Sequence, residues 1–193
     1  MLKPAVEPKA AAPPDPGGSD DRALMARVAG GDAAAFGLLV ERYGGQVHAL
    51  AWRMLGPAEA EDVVQECFTR LWVNAKGWVP VGGGLGGWLR RVATNLCLDR
   101  LRRPRTVSDE ALAEHRDEAP LADAQLDAAH QQQAVADAIR ALPDRQRAAI
   151  ILTYYDGASN AEAASILGLG VKALESLLMR ARQGLKDRLG ALA

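Results

Sequence analysis

Arg91, Asn95 and Arg102 share one stripe of a helical pattern, and their types suit a nucleic acid. Arginine supplies phosphate contacts, and asparagine can read a base edge. Arg90, Arg100 and Arg103 stand beside them, and Trp78 lies in a glycine loop just upstream. A basic helix beside an aromatic, flexible loop suits a single strand with unstacked bases.

A second candidate lies between Ser159 and Arg182. Ser159 reads as an N-cap, and Glu162 three residues on completes a capping box. Ala163 and Ala164 are small, as a close helix crossing requires. Gly168 follows where the chain must turn sharply and a left-handed residue helps. Val171 then restarts an apolar stripe through Leu174, Leu178, Ala181 and Leu185. The pattern fits a helix-turn-helix, which places its second helix in the DNA major groove. It also fits an ordinary helical hairpin.

A third surface lies on the helix ending near Ala75. Val64, Phe68, Leu71 and Ala75 form its apolar stripe. Glu61, Asp62, Gln65, Glu66, Thr69 and Arg70 form the opposite face. That face is either simply solvated or a docking surface for a large partner.

Composition narrows the function classes. Aromatic residues make up 5% of the 193 residues, and no alternating strand-like run appears, so an all-α fold is expected. The net charge of −1 argues neither for nor against nucleic acid, but the charges are segregated. Gly86 to Arg105 is arginine-rich with Asp99 as its one acid, whereas Thr106 to His130 is acidic with Arg116 as its one arginine. Cys67 and Cys97 sit in apolar helical patterns and read as small buried hydrophobes. With no CxxC or Cys/His cluster, neither zinc nor any other metal or cofactor is expected. No nucleophile–base pair stands out, and the glycines at 82–87 lack the Lys-Ser/Thr of a phosphate loop, so no catalysis is expected. No signal peptide or apolar run of about 18 residues appears, which excludes membrane insertion and fits the cytoplasm. His48, His115 and His130 are scattered and read as surface residues.

The elements that must position these groups follow from punctuation. Residues 1–19 are rich in Pro, Ala and Gly and read as a disordered tail. Helices are expected over 20–29, from the Asp32 cap to Leu55, from Pro57 to about 75, and from Trp88 to Arg103, where Pro104 stops the last. They form one domain over 20–104. The acidic stretch 105–127 reads as a flexible linker. A second domain, 128–193, has helices near 129–141, 144–155, 160–167 and 171–189.

In this order the features resemble the extracytoplasmic-function (group IV) sigma factors of bacterial RNA polymerase, within the sigma-70 family. Four stretches carry the resemblance: Asp32-Ala-Ala-Ala-Phe36 through Tyr43; Ala60-Glu-Asp-Val-Val-Gln-Glu-Cys-Phe-Thr-Arg-Leu-Trp72; Trp88-Leu-Arg-Arg-Val-Ala-Thr-Asn-Leu-Cys-Leu-Asp-Arg-Leu-Arg-Arg103; and Ala141-Leu-Pro-Asp-Arg-Gln-Arg147 with the helix-turn-helix. The match runs in order over about 22–190.

The resemblance implies partners and roles. Asp62, Gln65 and Glu66, with Glu61 and Thr69 on the same face, would meet the β′ clamp of core RNA polymerase, and the β flap is a further expected contact. Arg91, Asn95 and the 76–87 loop would hold the unpaired −10 strand, with Trp78, Arg90, Arg102 and Arg103 around them. Lys172, Glu175, Ser176, Met179, Arg180 and Arg182 would face the −35 duplex. Promoter DNA and an anti-sigma factor are the other implied partners. The chain departs from the family in its Val-Gly-Gly-Gly-Leu-Gly-Gly loop, where an aromatic and polar run is usual. It departs again at Glu175 and Leu177, where basic residues are common. Two rivals share most of these features: a stand-alone helix-turn-helix regulator of duplex DNA, and a helical adaptor that binds only proteins.

Overall fold

The computed structural model describes residues 18–79, 83–103 and 123–190, and the regular elements among them are all helical. They form two helical domains. The first holds α1 (Gly18–Ala29), α2 (Ala33–Leu55), α3 (Pro57–Asn74) and α4 (Gly84–Arg102), with a short 3-10 turn at Ala75–Gly77. The second holds α5 (Asp123–Arg140), α6 (Asp144–Ile150), a π-helical turn at Ile151–Tyr155, α7 (Asn160–Leu167) and α8 (Val171–Gly190). The expected tail falls mostly outside the described residues, but Gly18 and Ser19 already belong to α1. Residues 104–122 of the expected linker also lie outside them. Positions 123–127, read as linker, open α5 instead, since Pro120 is the last breaker before an uninterrupted helical run.

Local chemistry explains most helix ends. The Asp32 carboxylate accepts from the backbone N–H groups of Ala34 and Ala35 at 2.9 and 3.0 Å, and Arg27 donates to it at 2.9 Å, which ties α1 to the start of α2. These hydrogen bonds, the Ala35 N–H first, hold the Asp32 carboxyl below its ordinary range. Gly56, at φ 98°, reverses the chain between α2 and α3, with Pro57 as the first residue of α3.

Leu39, Val47, Leu50 and Met54 of α2 pack with Val63, Cys67 and Leu71 of α3 and with Leu89, Ala93 and Leu96 of α4, all buried. Burying each large aliphatic side chain contributes about 1.5–3 kcal/mol. At the outer edge Trp72 is 39% exposed, with its ring edge-on to Phe36 at 5.1 Å. It sits in the last turn of α3, where the α2–α3 seam runs out. Trp88 is partly buried against the core.

Helix α4 starts at Gly84, four residues before the expected Trp88. Glycines disfavour a helix by up to about 1 kcal/mol each, so packing must override propensity here. Leu85 is fully buried, and a Cβ on Gly86 would stand 3.3 Å from the Tyr43 ring. The missing side chain therefore permits the close approach. Tyr43 donates from its hydroxyl to Asp21, a buried carboxylate that also pairs with Arg42 at 2.6 Å.

Candidate nucleic-acid interface

The helix-turn-helix forms as its chemistry predicts. Ser159 Oγ accepts from the Glu162 N–H at 3.2 Å, and the Glu162 carboxylate accepts from the Ser159 N–H at 2.8 Å. Those bonds, the backbone one first, keep the Glu162 carboxyl below its ordinary value. Gly168 is left-handed at φ 63°, and Ala163 and Ala164 are buried at the crossing. On α8 the buried stripe is Leu174, Leu178 and Ala181, with Leu177 and Leu185 partly buried. Val171, expected on that stripe, is 43% exposed because it is the first residue of the helix and precedes the seam.

Opposite this stripe Lys172, Glu175, Ser176, Met179, Arg180 and Arg182 are all exposed. Ser176 donates back to the Lys172 carbonyl at 3.0 Å, and Arg182 donates to the Leu178 carbonyl at 3.3 Å and to the Tyr154 hydroxyl at 3.4 Å. Met179, 62% exposed, is the apolar centre of this face.

On α4, Leu89, Ala93 and Leu96 point into the core and Arg91, Asn95, Arg102 and Arg103 are exposed. Arg102 lies 3.7 Å from Asp99 one turn back. Trp78 is partly buried, and its indole N–H has no partner among the described residues. The loop centre, residues 80–82, lies outside them. Arg100, read from sequence as a neighbour of the basic stripe, turns the other way. It donates to the Glu59 carbonyl at 3.0 Å and meets Glu66 at 3.4 Å, locking α4 to α3.

That contact divides the α3 face. Glu61, Asp62, Gln65 and Thr69 are exposed, whereas Glu66 is half-buried and engaged by Arg70 at 2.6 Å as well as by Arg100. Thr69 turns its hydroxyl back to the Gln65 carbonyl at 2.8 Å.

Sequence reasoning missed the seam between the domains. Arg147, buried, donates to the Met54 carbonyl at 2.7 Å and also to the carbonyls of Arg140 and Leu142. It thus caps the C-terminal end of α2 with a cation from the other domain. Arg53 lies 5.0 Å above the Tyr155 ring. Arg90 meets Asp156 at 3.1 Å, and Arg91 donates to Ser165 Oγ at 2.6 Å and to its carbonyl at 3.2 Å. An open groove of about 910 Å³ runs along this seam, with Trp52, Pro57, Val135, Ile139, Ile151 and Tyr155 among its walls. The Arg147 motif was visible in sequence; its tie to Met54 was not, because the two lie 93 positions apart.

Cys67 and Cys97 are buried free thiols, and burial pushes both up to about 12. Among the described residues no cluster of three or more His, Cys, Asp or Glu side chains could hold a metal. No described helix is long and apolar enough to cross a membrane.

Residues 39–106 match Sigma-70 region 2, and residues 132–185 match Sigma-70, region 4. The chain is 36% identical to the ECF RNA polymerase sigma factor SigE of Mycolicibacterium smegmatis over 78% of its own length, and spans 60% of that relative. It is 30% identical to the ECF RNA polymerase sigma factor SigW of Bacillus subtilis, covering 84% of this chain and 93% of the relative. Among solved structures it is similar to CnrH in complex with the cytosolic domain of CnrY, at 33% identity and a TM-score of 0.65, covering 90% of this chain and 99% of that one. It is also similar to the sigma factor RpoE in complex with the anti-sigma factor NepR from Bartonella quintana, at 26% identity and a TM-score of 0.62, covering 80% of this chain and 96% of that one.

Proposed function

This chain belongs to the ECF RNA polymerase sigma factors of the sigma-70 type, and on that premise we propose how its surfaces divide the work of an alternative sigma factor directing transcription initiation. Within the family we place it in group IV. The first domain, 20–104, docks on core polymerase through the exposed Glu61, Asp62, Gln65 and Thr69 of α3, which meet the β′ clamp. Glu66 sets the angle between α3 and α4 as well as lining that face, since Arg100 already holds it.

Helix α4 takes the melted −10 strand. Asn95 reads a flipped base, Arg91, Arg102 and Arg103 hold phosphates, and Trp78 offers a stacking edge. Extruding a base costs a few kcal/mol, which these contacts offset. Helix α8 enters the −35 major groove. Lys172, Arg180 and Arg182 take phosphates, Glu175 accepts from a cytosine amino group, and Ser176 and Met179 complete the face. The stretch 105–122, between the first domain and α5, joins the two domains so that they reach elements separated along the promoter.

The protein works by binding, without catalysis or cofactor, in the cytoplasm. An anti-sigma factor holds it inactive, a reading supported by the likeness to RpoE bound to NepR. The β flap is a further contact of the second domain.

The observation that carries the assignment is the pairing, in one chain, of an Arg/Asn-bearing α4 with an exposed α8 on a capped helix-turn-helix. Run-off transcription with core polymerase, with and without this protein, tests it on a promoter library. Discrete protein-dependent transcripts are expected, and Asp62→Lys weakens core binding with unchanged circular dichroism. Duplex binding with no protein-dependent transcript would make the chain a stand-alone regulator instead.

A further inference from the structure

The open groove at the seam has an aromatic wall and a cationic rim. Trp52 of α2 and Tyr155 of the π-helical turn line it, each 45% exposed. Arg53 and Arg140 line it too, with the exposed amides of Gln132 and Gln133, and no acid stands among the described residues of its walls. Arg140 is shared with Asp137 at 3.1 Å, so Arg53 is the cation that an acid entering the groove would meet. Half-bare aromatic rings set among amides suit a polyproline helix. Proline rings pack on the ring faces, and amides reach the backbone carbonyls that such a helix leaves unbonded.

The chain carries a segment of that composition, and α1 aims it at the groove. Residues 1–17 precede α1 and hold Pro4, Pro8, Pro13, Pro14 and Pro16. A polyproline helix has about three residues per turn, so Pro13 and Pro16 share a face of one. In the first turn of α1, Asp20 and Asp21 pair with Arg42, and Asp21 also accepts from Tyr43. Near the other end Arg27 meets Asp32, just before α2 begins. Helix α1 therefore runs antiparallel to α2, and its N-terminus points towards Gly56, where α2 ends at the groove. Arg53 follows Arg42 by about three turns, or about 16 Å, and so stands on the same side of α2. Gly45 and Ala49 lie between them and keep that surface low; a Cβ on Gly45 would meet nothing within 4 Å. From Pro13 to Gly18 a polyproline helix spans about 15 Å, which matches the distance to be covered.

We propose that residues 13–16 dock in the seam groove as a polyproline helix, with Pro13 and Pro16 against Trp52 and Tyr155 and with Asp15 towards Arg53. The segment then touches both domains, and any partner entering the groove must displace it. The tether favours the chain's own tail over a second copy, because a short flexible link gives an effective concentration of about millimolar order. A polyproline helix is also preformed, so little ordering entropy opposes docking. The proposal does not depend on which helix reads DNA.

The test uses the full chain with a nitroxide on Lys9→Cys; Cys67 and Cys97 are buried and do not compete for the label. Indole N–H signals are followed by NMR in isotope-enriched protein, with Trp52→Phe and Trp72→Phe to identify two of them. Trp72 is the reference, since its ring touches Phe36, about 24 Å back along α2 from Trp52. With the nitroxide oxidised, the Trp52 signal should lose most of its intensity and regain it on reduction, while the Trp72 signal persists. Pro13→Ser combined with Pro16→Ser should restore the Trp52 signal, and both sites lie outside the described helices, so circular dichroism should not change. Equal loss at both tryptophans, loss at neither, or a Trp52 loss that survives the double substitution overturns the docking. Asp15→Lys, which sets a cation against Arg53, should restore the signal in part; no change there overturns the Asp15–Arg53 pairing. In a mixture of nitroxide-bearing chain without isotope and enriched chain without nitroxide, the Trp52 signal should persist. Loss there gives the groove to a second copy's tail and overturns docking within one chain.

Discussion

Helices α4 and α8 carry the two proposed DNA-facing surfaces, and the fold presents them in opposite states. On α8 the polar face looks outward, with Lys172, Glu175, Met179 and Arg180 all exposed. On α4 the first two arginines are held by the other domain. Both helices are amphipathic and both bury an aliphatic stripe. The difference shows that amphipathicity decides which side of a helix is available to a partner. Whether that side is free depends on what else packs there.

The largest effect should come from the cores beneath the two helices. Leu89 and Leu174 are both essentially fully buried, and truncation of either to alanine should cost about 2–5 kcal/mol. In a thermal melt followed by circular dichroism, Leu174→Ala should lower a transition of the second domain and leave the first domain folded. One shared transition would mean that the seam, where the apolar cluster runs from one domain into the other, couples the two into a single cooperative unit.

Next comes the base-reading residue. Asn95→Ala should lose about 1–3 kcal/mol in promoter opening, with little change in closed-complex formation. Permanganate reactivity of the melted region reports the first, and filter binding on fully duplex promoter the second. Equal loss in both would make Asn95 a duplex contact and erase the distinction between the helices.

The phosphate contacts of α8 should act uniformly. Lys172→Ala and Arg180→Ala should each weaken duplex binding whatever the sequence, lowering the slope of log affinity against log salt by about one. Sequence-dependent losses at an unchanged slope would move these residues from phosphate to base.

The smallest effect is titratable. The Glu162 carboxyl lies below its ordinary 4.5, so its stabilisation is complete above that value and is lost as pH falls through the lower folded value. Urea unfolding of the second domain between roughly pH 5 and pH 3 should show this decline, and Glu162→Gln should flatten it. Asp156 has the opposite sign. Its raised carboxyl binds a proton more readily in the folded chain, so its contribution falls as pH rises through the folded value.

Much of this protein was legible in its sequence because the governing interactions span only a few residues. Asp32 capping Ala34 and Ala35, the Ser159–Glu162 box, Gly56 before Pro57 and the left-handed Gly168 all join groups within four positions. These local rules set both ends of α2 and of α7 and the start of α3. Helical spacing then assigned Leu89, Ala93 and Leu96, and Leu174, Leu178 and Ala181, to buried stripes.

What only the tertiary structure decided involves partners distant in the chain. Gly84–Gly87 became helical because Leu85 found a core and Gly86 met Tyr43, against glycine's own preference. Trp72 and Val171 fell on the rim because the surfaces they would fill end beside them. Arg100, Glu66 and Arg147 became structural ties, and Arg90 and Arg91 became seam contacts. The Arg91–Ser165 pair spans 74 positions, and no periodicity along a helix encodes which distant oxygen a guanidinium will meet. An arginine's type and its place on a stripe can be read from the chain, but its partner is set only when two domains with complementary charge come to lie together.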